Sequence, residues 1–160
     1  MISLVSPAKS LDYESKVPVL DYSISEYLND SKRLMEELKV LGPDDLTSVM
    51  GLSEKLADLN FNRNMNWRAD KNPGKTSRQA IYAFKGDVYR GLDVASLTKQ
   101  QVKFLDNHLR ILSGLYGILK PLDLIQPYRL EMGTKIKNPK GENLYEFWGK
   151  KIALSLNKSL

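Results

Sequence analysis

The sequence predicts a mixed α+β fold, and three observations predict it. A β-branched run, Ile2 to Val5, opens the chain; segments with helical apolar spacing recur from Ile24 to Leu41 and from Leu144 to Leu156; short apolar stretches bounded by turn residues lie between them. That order of elements suits an α/β or α+β arrangement rather than a helical bundle. At 160 residues, a single domain spanning 1–160 is the default, long enough to bury a core.

Taken in order, Ile2 to Val5 reads as a buried strand that stops at Ser6-Pro7. Ser23-x-x-Glu26 has the form of a capping box, followed by a helix carrying Ile24, Tyr27, Leu28, Leu34, Met35, Leu38 and Leu41 until Gly42-Pro43. Asp44 or Asp45 starts a short helix through Met50, Gly51-Leu52-Ser53 turns, and Glu54 to about Met65 forms another helix with Leu56, Ala57, Leu59 and Phe61 expected to pack. Residues 66–77 are polar and rich in breakers, hence a loop. Ala80 to Phe84 reads as a strand turning at Lys85-Gly86-Asp87, with Val88-Tyr89 a possible hairpin partner. Thr98 caps a helix with Val102, Leu105 and Leu109 on one face. Leu109 to Leu119 is apolar but holds Gly114 and Gly117, which leaves open a buried strand or a tight helix-to-strand junction. Leu130 to Met132 is a short strand candidate, and Leu144 to Leu156 an amphipathic helix with Phe147, Trp148, Ile152 and Leu156.

Composition removes several chemistries. With no Cys and one His, disulfides, iron–sulfur clusters, thiolate zinc sites and imidazole-rich metal sites are excluded, so neither a metal nor a cofactor is expected. No apolar run approaches membrane-spanning length and no leader precedes Pro7, so a soluble, cytoplasmic protein is expected. The net charge of +5 is uneven: residues 93–160 carry eleven Lys/Arg against six Asp/Glu, while residues 1–41 carry five against seven. Such a surplus favours polyanionic partners without proving one.

The most informative local pattern is Leu46-x-x-Val49-x-Gly51-Leu52-Ser53-x-x-x-Ala57, within a candidate helix-hairpin-helix element over 44–65. Such a hairpin needs a Gly at φ > 0, an apolar residue pinning the turn and a small residue where the helices cross. Its free amides and the start of the second helix can then hold a phosphate, with Lys55 and Arg63 adding charge. An ordinary αα-turn with Ser53 as N-cap satisfies the same pattern.

Three other motifs weigh less. Ser6-x-x-Lys9 has the spacing of a Ser–Lys hydrolase pair, but Pro7 interrupts it and the companion elements of that family of enzymes are missing. Lys85-Gly86-Asp87 and Arg129-Leu130-Glu131 set a cation two residues from a carboxylate, which builds acid/base sites less often than loop-fixing ion pairs. His108 has no partner at metal-ligand spacing. No catalytic constellation is complete.

Read together, the strings Ser6-Pro7-Ala8-Lys9-Ser10-Leu11-Asp12-Tyr13, Arg78 through Tyr89, Leu109 through Leu119 and Pro121 through Gly133 resemble the YaaA family of bacterial peroxide-stress-resistance proteins along nearly the whole chain. The resemblance implies a cytosolic protein that limits hydrogen peroxide damage and free-iron toxicity. It also implies a family-specific fold in which a helix-hairpin-helix flanks a basic, DNA-binding cleft, with no firmly attached enzymatic activity. Family members usually continue past the position matching Leu160, so the resemblance implies a version without the family's C-terminal portion.

The reading is therefore a DNA-binding protective protein, contacting double-stranded or structured DNA without sequence preference. Gly51, Leu52, Ser53, Lys55 and Arg63 form one contact surface, and Lys9, Lys85, Arg110 and Arg129 a second. The rival is an enzyme whose pocket of Lys9, Lys85, Asp87, Arg110, Arg129 and Glu131 takes a small phosphorylated or nucleotide substrate; a protein-binding regulator is a third option.

Ala69-x-x-x-x-Gly74-Lys75-Thr76 matches a phosphate loop formally, yet a true one follows a buried strand and opens a helix, and Pro73 removes an amide from the cradle. Isothermal titration is expected to show no magnesium-dependent ATP binding; tight binding lost on Lys75→Ala would restore the phosphate loop.

Overall fold

A computed structural model describes residues 1–160. Its centre is a three-stranded sheet in the order β1 (Ser3–Val5), β5 (Leu109–Ser113), β6 (Gly117–Leu119). β1 runs parallel to β5 with Val5 opposite Ile111, and β5 returns antiparallel into β6 with Ser113 opposite Gly117. The open question over 109–119 thus resolves as a β-hairpin. Two antiparallel strand pairs flank the sheet: β2 (Ser10–Leu11) with β4 (Phe84–Lys85), and β3 (Arg78–Gln79) with β7 (Leu124–Ile125).

Helices surround these strands: α1 (Leu28–Lys39), α2 (Pro43–Met50), α3 (Glu54–Asn66), α4 (Ala80–Ala83), α5 (Asp87–Leu92), α6 (Lys99–His108), α7 (Leu144–Trp148) and α8 (Lys151–Ser159). The α+β expectation holds. None of the helices is long and apolar enough to cross a membrane. The main core joins Leu34, Met35 and Leu38 of α1 to Ile111, Leu115, Tyr116 and Leu119 of the hairpin and to Phe147 and Trp148 of α7. A second cluster of Val19, Ile81, Tyr82, Val102 and Leu122 lies under α4 and α6.

Several local readings are corrected, each because a distant partner outcompetes a local one. Ser23 and Glu26 do not cap α1, which begins at Leu28 without a side-chain cap; the Ser23 hydroxyl donates to Asp123 at 2.6 Å and Glu26 accepts from Ser155 at 2.5 Å. The segment Ala80 to Ala83 is a fully buried helical turn, not a strand, wedged between β3 and β4. β4 pairs with β2, so Val88-Tyr89 is free to enter α5 rather than a hairpin. Leu130 to Met132 forms no strand, and the helix expected over 144–156 breaks at Gly149, whose φ of 51° ends α7. β1 is not buried: it lies at the sheet edge, and Leu4 is 46% exposed. On α3 only Ala57 of the expected packing residues is fully buried, while Leu56 and Leu59 face outward and Asn60 and Asn64 face in.

Two close approaches fix the sheet against its neighbours. Gly117 sits at φ 76°, and a Cβ there would meet the Trp148 ring at 2.8 Å. Trp148 in turn donates its indole N–H to the Gly114 carbonyl at 2.9 Å. Gly117→Ala is therefore expected to cost about 3 kcal/mol, from the left-handed backbone plus displacement of a buried indole. Gly91→Ala, inside α5 with nothing within 4 Å, is expected to add about 0.5–1 kcal/mol by helix propensity. Urea denaturation of both variants checks the contrast.

Candidate functional site

The hairpin between α2 and α3 follows from its sequence. Pro43 occupies the first turn of α2, Asp45 accepts from the Gly42 amide at 2.9 Å, and Gly51 ends the helix at φ 65°, ψ 34°, with its N–H bonded to Thr47. Ser53 caps α3 by accepting from the Leu56 amide at 3.3 Å. Leu46, Leu52 and Ala57 are buried together as a small core of their own, so the turn is pinned and the helices cross at an alanine. Gly51, Ser53 and Lys55 are all exposed at the tip, as a phosphate-binding hairpin would need.

α3 carries the geometry inward. Arg63 lies ten residues beyond Ser53, about 15 Å along the helix axis. It is half-buried, and its N–H donates to Asn60 at 3.3 Å. Burial holds its pKa below the ordinary value, with the nearby Arg129 adding repulsion and Tyr13 opposing it. Arg63 thus connects the hairpin helix to a second basic region.

That region is a cleft of about 240 Å³ between the strand-end loop Pro7 to Lys9, the start of the β5–β6 turn, and the segment Tyr128 to Met132. Gly114 makes the narrow side possible, since a Cβ there would collide with the Leu130 carbonyl oxygen. At the mouth the Glu131 carboxylate stands between two cations, 3.3 Å from Lys9 and 3.8 Å from Arg129. The Arg129 side chain is only 19% exposed, whereas Lys9 and Glu131 are mostly in water. At the floor Ser113 and Tyr128 are hydrogen-bonded at 2.6 Å, and burial pushes the Tyr128 phenol well above its ordinary pKa.

Beside the cleft, Tyr13 is half-buried with its hydroxyl donating to the Ile125 carbonyl at 2.8 Å. Arg78 lies over the Tyr13 ring, 5.8 Å from its centroid, and 3.8 Å from Asp12. Hydrogen bonds from Ser15, in its side chain and backbone, hold the Asp12 carboxyl at about 2, so it stays charged opposite Arg78.

The sequence-derived set divides. Lys9, Arg129 and Glu131 converge on the cleft, and Lys85 lines an adjoining open depression that shares Lys9. Asp87 lines the same depression, but its ion pair is with Arg90 one turn on. Arg110 stands apart: its guanidinium donates to the carbonyls of Asp106 and Leu109, each at 2.8 Å, and to Ser159 at 3.3 Å, against α8. Ser6 and Lys9 form no hydrolase pair: no hydrogen bond joins them, and the Lys9 ammonium turns to Glu131. Gly74-Lys75-Thr76 lies in an irregular exposed loop with no strand before it and no helix at its end. His108 stacks on Phe104 at 4.1 Å.

Sequence reasoning missed Tyr13, Arg78, Ser113 and Tyr128. Ser113 left a signal, a hydroxyl inside an otherwise apolar strand; Tyr128 and Arg78 left none, since nothing local indicates where a loop tyrosine or a short-strand arginine will point.

With this geometry, comparison with known proteins is informative. The chain is 52% identical to a UPF0246 protein of Alteromonas mediterranea and 52% identical to one of Idiomarina loihiensis, in each case over all 160 of its residues. A UPF0246 protein of Teredinibacter turnerae is 49% identical over the same span. The chain covers 61% of the Alteromonas protein and 62% of the other two, so it spans less than two thirds of these relatives. Residues 1–159 match the family model described as peroxide stress protein YaaA, and the chain belongs to that family.

Proposed function

We propose that the protein binds the phosphate backbone of DNA without reading sequence, as part of a peroxide stress role that its family membership supports. The observation that carries the reading is the exposed hairpin at Gly51, pinned by its own core and joined through α3 to Arg63 and the cleft cations. Helix N-terminal amides at the tip take one phosphate, Lys55 a neighbour, and Arg63, Arg129 and Lys9 continue the track. Lys85 extends it beyond Lys9. Arg110 is left out of this surface, its donors being occupied near α8.

Glu131 has a definite part in this arrangement. Its carboxylate occupies the position a phosphate oxygen would take between Lys9 and Arg129, and at 54% exposure it can swing aside. DNA must displace it, so the free protein partly neutralises its own cleft. The enzyme reading draws on the same cleft, but assigns Glu131 to proton transfer.

Two sets of substitutions separate the readings by fluorescence anisotropy over a salt series. Each neutralised phosphate contributes a slope of about −0.9 in log K against log salt, so Lys55→Ala is expected to reduce the slope by about one for unrelated duplexes alike. Gly51→Val is expected to weaken binding while leaving the slope nearly unchanged, because it strains the hairpin by about 1–2 kcal/mol without altering charge. A flat salt response, or full binding by Gly51→Val, sinks the hairpin assignment.

Glu131→Gln is expected to tighten DNA binding and steepen the slope by about one, as Lys9 and Arg129 lose their internal competitor. Weaker binding in that variant would contradict the stand-in role, and loss of turnover on a small substrate would favour the enzyme.

A further inference from the structure

The cleft floor holds a donor with nothing to donate to. Ser113 and Tyr128 contribute two hydroxyl hydrogens, and one is used in their mutual 2.6 Å bond. Ser113 Oγ also accepts from the Tyr116 amide at 3.0 Å, which uses a lone pair and no hydrogen. Neither oxygen has another protein partner, so whichever way the pair is oriented one O–H is left over. Both residues are buried, at 1% and 6% exposure, where a spare donor is costly unless something accepts it. The walls above are largely apolar, from Ala8, Leu112, Leu130 and Met132, and the mouth carries Lys9 and Arg129.

An occupant must therefore be small, largely apolar in its faces, an acceptor at its inner edge and anionic at its outer end. The cleft, at about 240 Å³, is below the range of drug-sized sites, about 300–1,000 Å³. A nucleotide has this form: a flat base with acceptors on its edges, joined through a sugar to a phosphate. We propose that the cleft accepts a single nucleotide, base inward against the Ser113–Tyr128 pair and phosphate between Lys9 and Arg129. This rests on the DNA reading when the nucleotide is one extruded from a strand; a free nucleotide offers the same chemistry. Every base carries an acceptor, so one floor donor does not select among them, in keeping with contacts that carry no sequence preference. Extrusion costs least where a base is already mispaired or damaged, so the cleft favours such positions.

The test uses a duplex with 2-aminopurine at one mispaired position, whose fluorescence rises when the base leaves the stack, and guanosine 5′-monophosphate as the free nucleotide. Two variants probe the cleft: the double substitution Ser113→Ala with Tyr128→Phe removes both hydroxyls, since either change alone leaves one O–H free, and Ala8→Leu fills the cleft from its loop wall. Thermal unfolding establishes that each is folded, and either alone suffices if the other is not. The expected result is a severalfold rise in fluorescence with the unaltered protein that is lost in Ala8→Leu, while that variant keeps its duplex affinity and salt slope. Binding of guanosine 5′-monophosphate without a fluorescence rise, weakened about tenfold when both floor hydroxyls are removed, would support the site and assign it to free nucleotides. Salt-dependent duplex binding with neither signal overturns the cleft proposal and leaves the backbone reading intact. Nucleotide binding without duplex binding would do the reverse.

Discussion

The contact on which the rest depends is the meeting of the β5–β6 turn with Trp148. Gly117 has no side chain because the indole lies against its Cα, and Gly114 gives up its carbonyl to the indole N–H. The other side of Gly114 presses on the Leu130 carbonyl. One tight turn and the glycine that follows it therefore lock the central sheet to α7 and the Tyr128 to Met132 segment to the sheet. The cleft is the space remaining between that segment and the loop after β1. Its shape is thus set by packing deep in the core rather than by the residues that line its mouth.

A second constraint is polar. The chain connects its short strands through irregular segments, and buried side chains satisfy the backbone there. Gln126 accepts from the Arg68 amide at 2.9 Å and donates to the same residue's carbonyl, while Gln79 donates to the carbonyls of Val19 and Asp21. Asp123 receives the Ser23 hydroxyl and the Lys120 amide; burial pushes its pKa up and these bonds oppose the rise. Such groups hold loops as firmly as strands hold each other, which is how a fold with strands of two to five residues can position a site.

What the sequence made legible was local. The hairpin at Gly51 was readable because its determinants, a left-handed glycine, a pinned leucine, a serine cap and a crossing alanine, lie within twelve residues. Thr98 is legible as a cap for the same reason, and the structure adds Gln101 as its partner in the capping box of α6. Ser23 and Glu26 have the same local form yet serve partners about a hundred residues away or more, which no spacing rule reveals. Ala80 to Phe84 is apolar enough for a strand, and only its confinement between two strand pairs makes it a helical turn. At the site, Lys9, Arg129 and Glu131 were identified from charge at loop ends. Arg110, grouped with them by charge alone, lies elsewhere, since the sequence does not say which face of β5 an alternating residue takes.

The parallel pairing of β1 with β5 has a consequence for the order of assembly. Ser3 to Val5 finds its only strand partner at Leu109 to Ile111, so β1 is made more than a hundred residues before its partner and is ordered only after it. Ribosomal elongation at about 5–20 residues per second leaves this strand without a template for roughly 5–20 s. Lys9 and the Pro7–Ala8 wall wait with it. Until then the cleft lacks a wall, and whatever it does begins only once β1 and β5 have met.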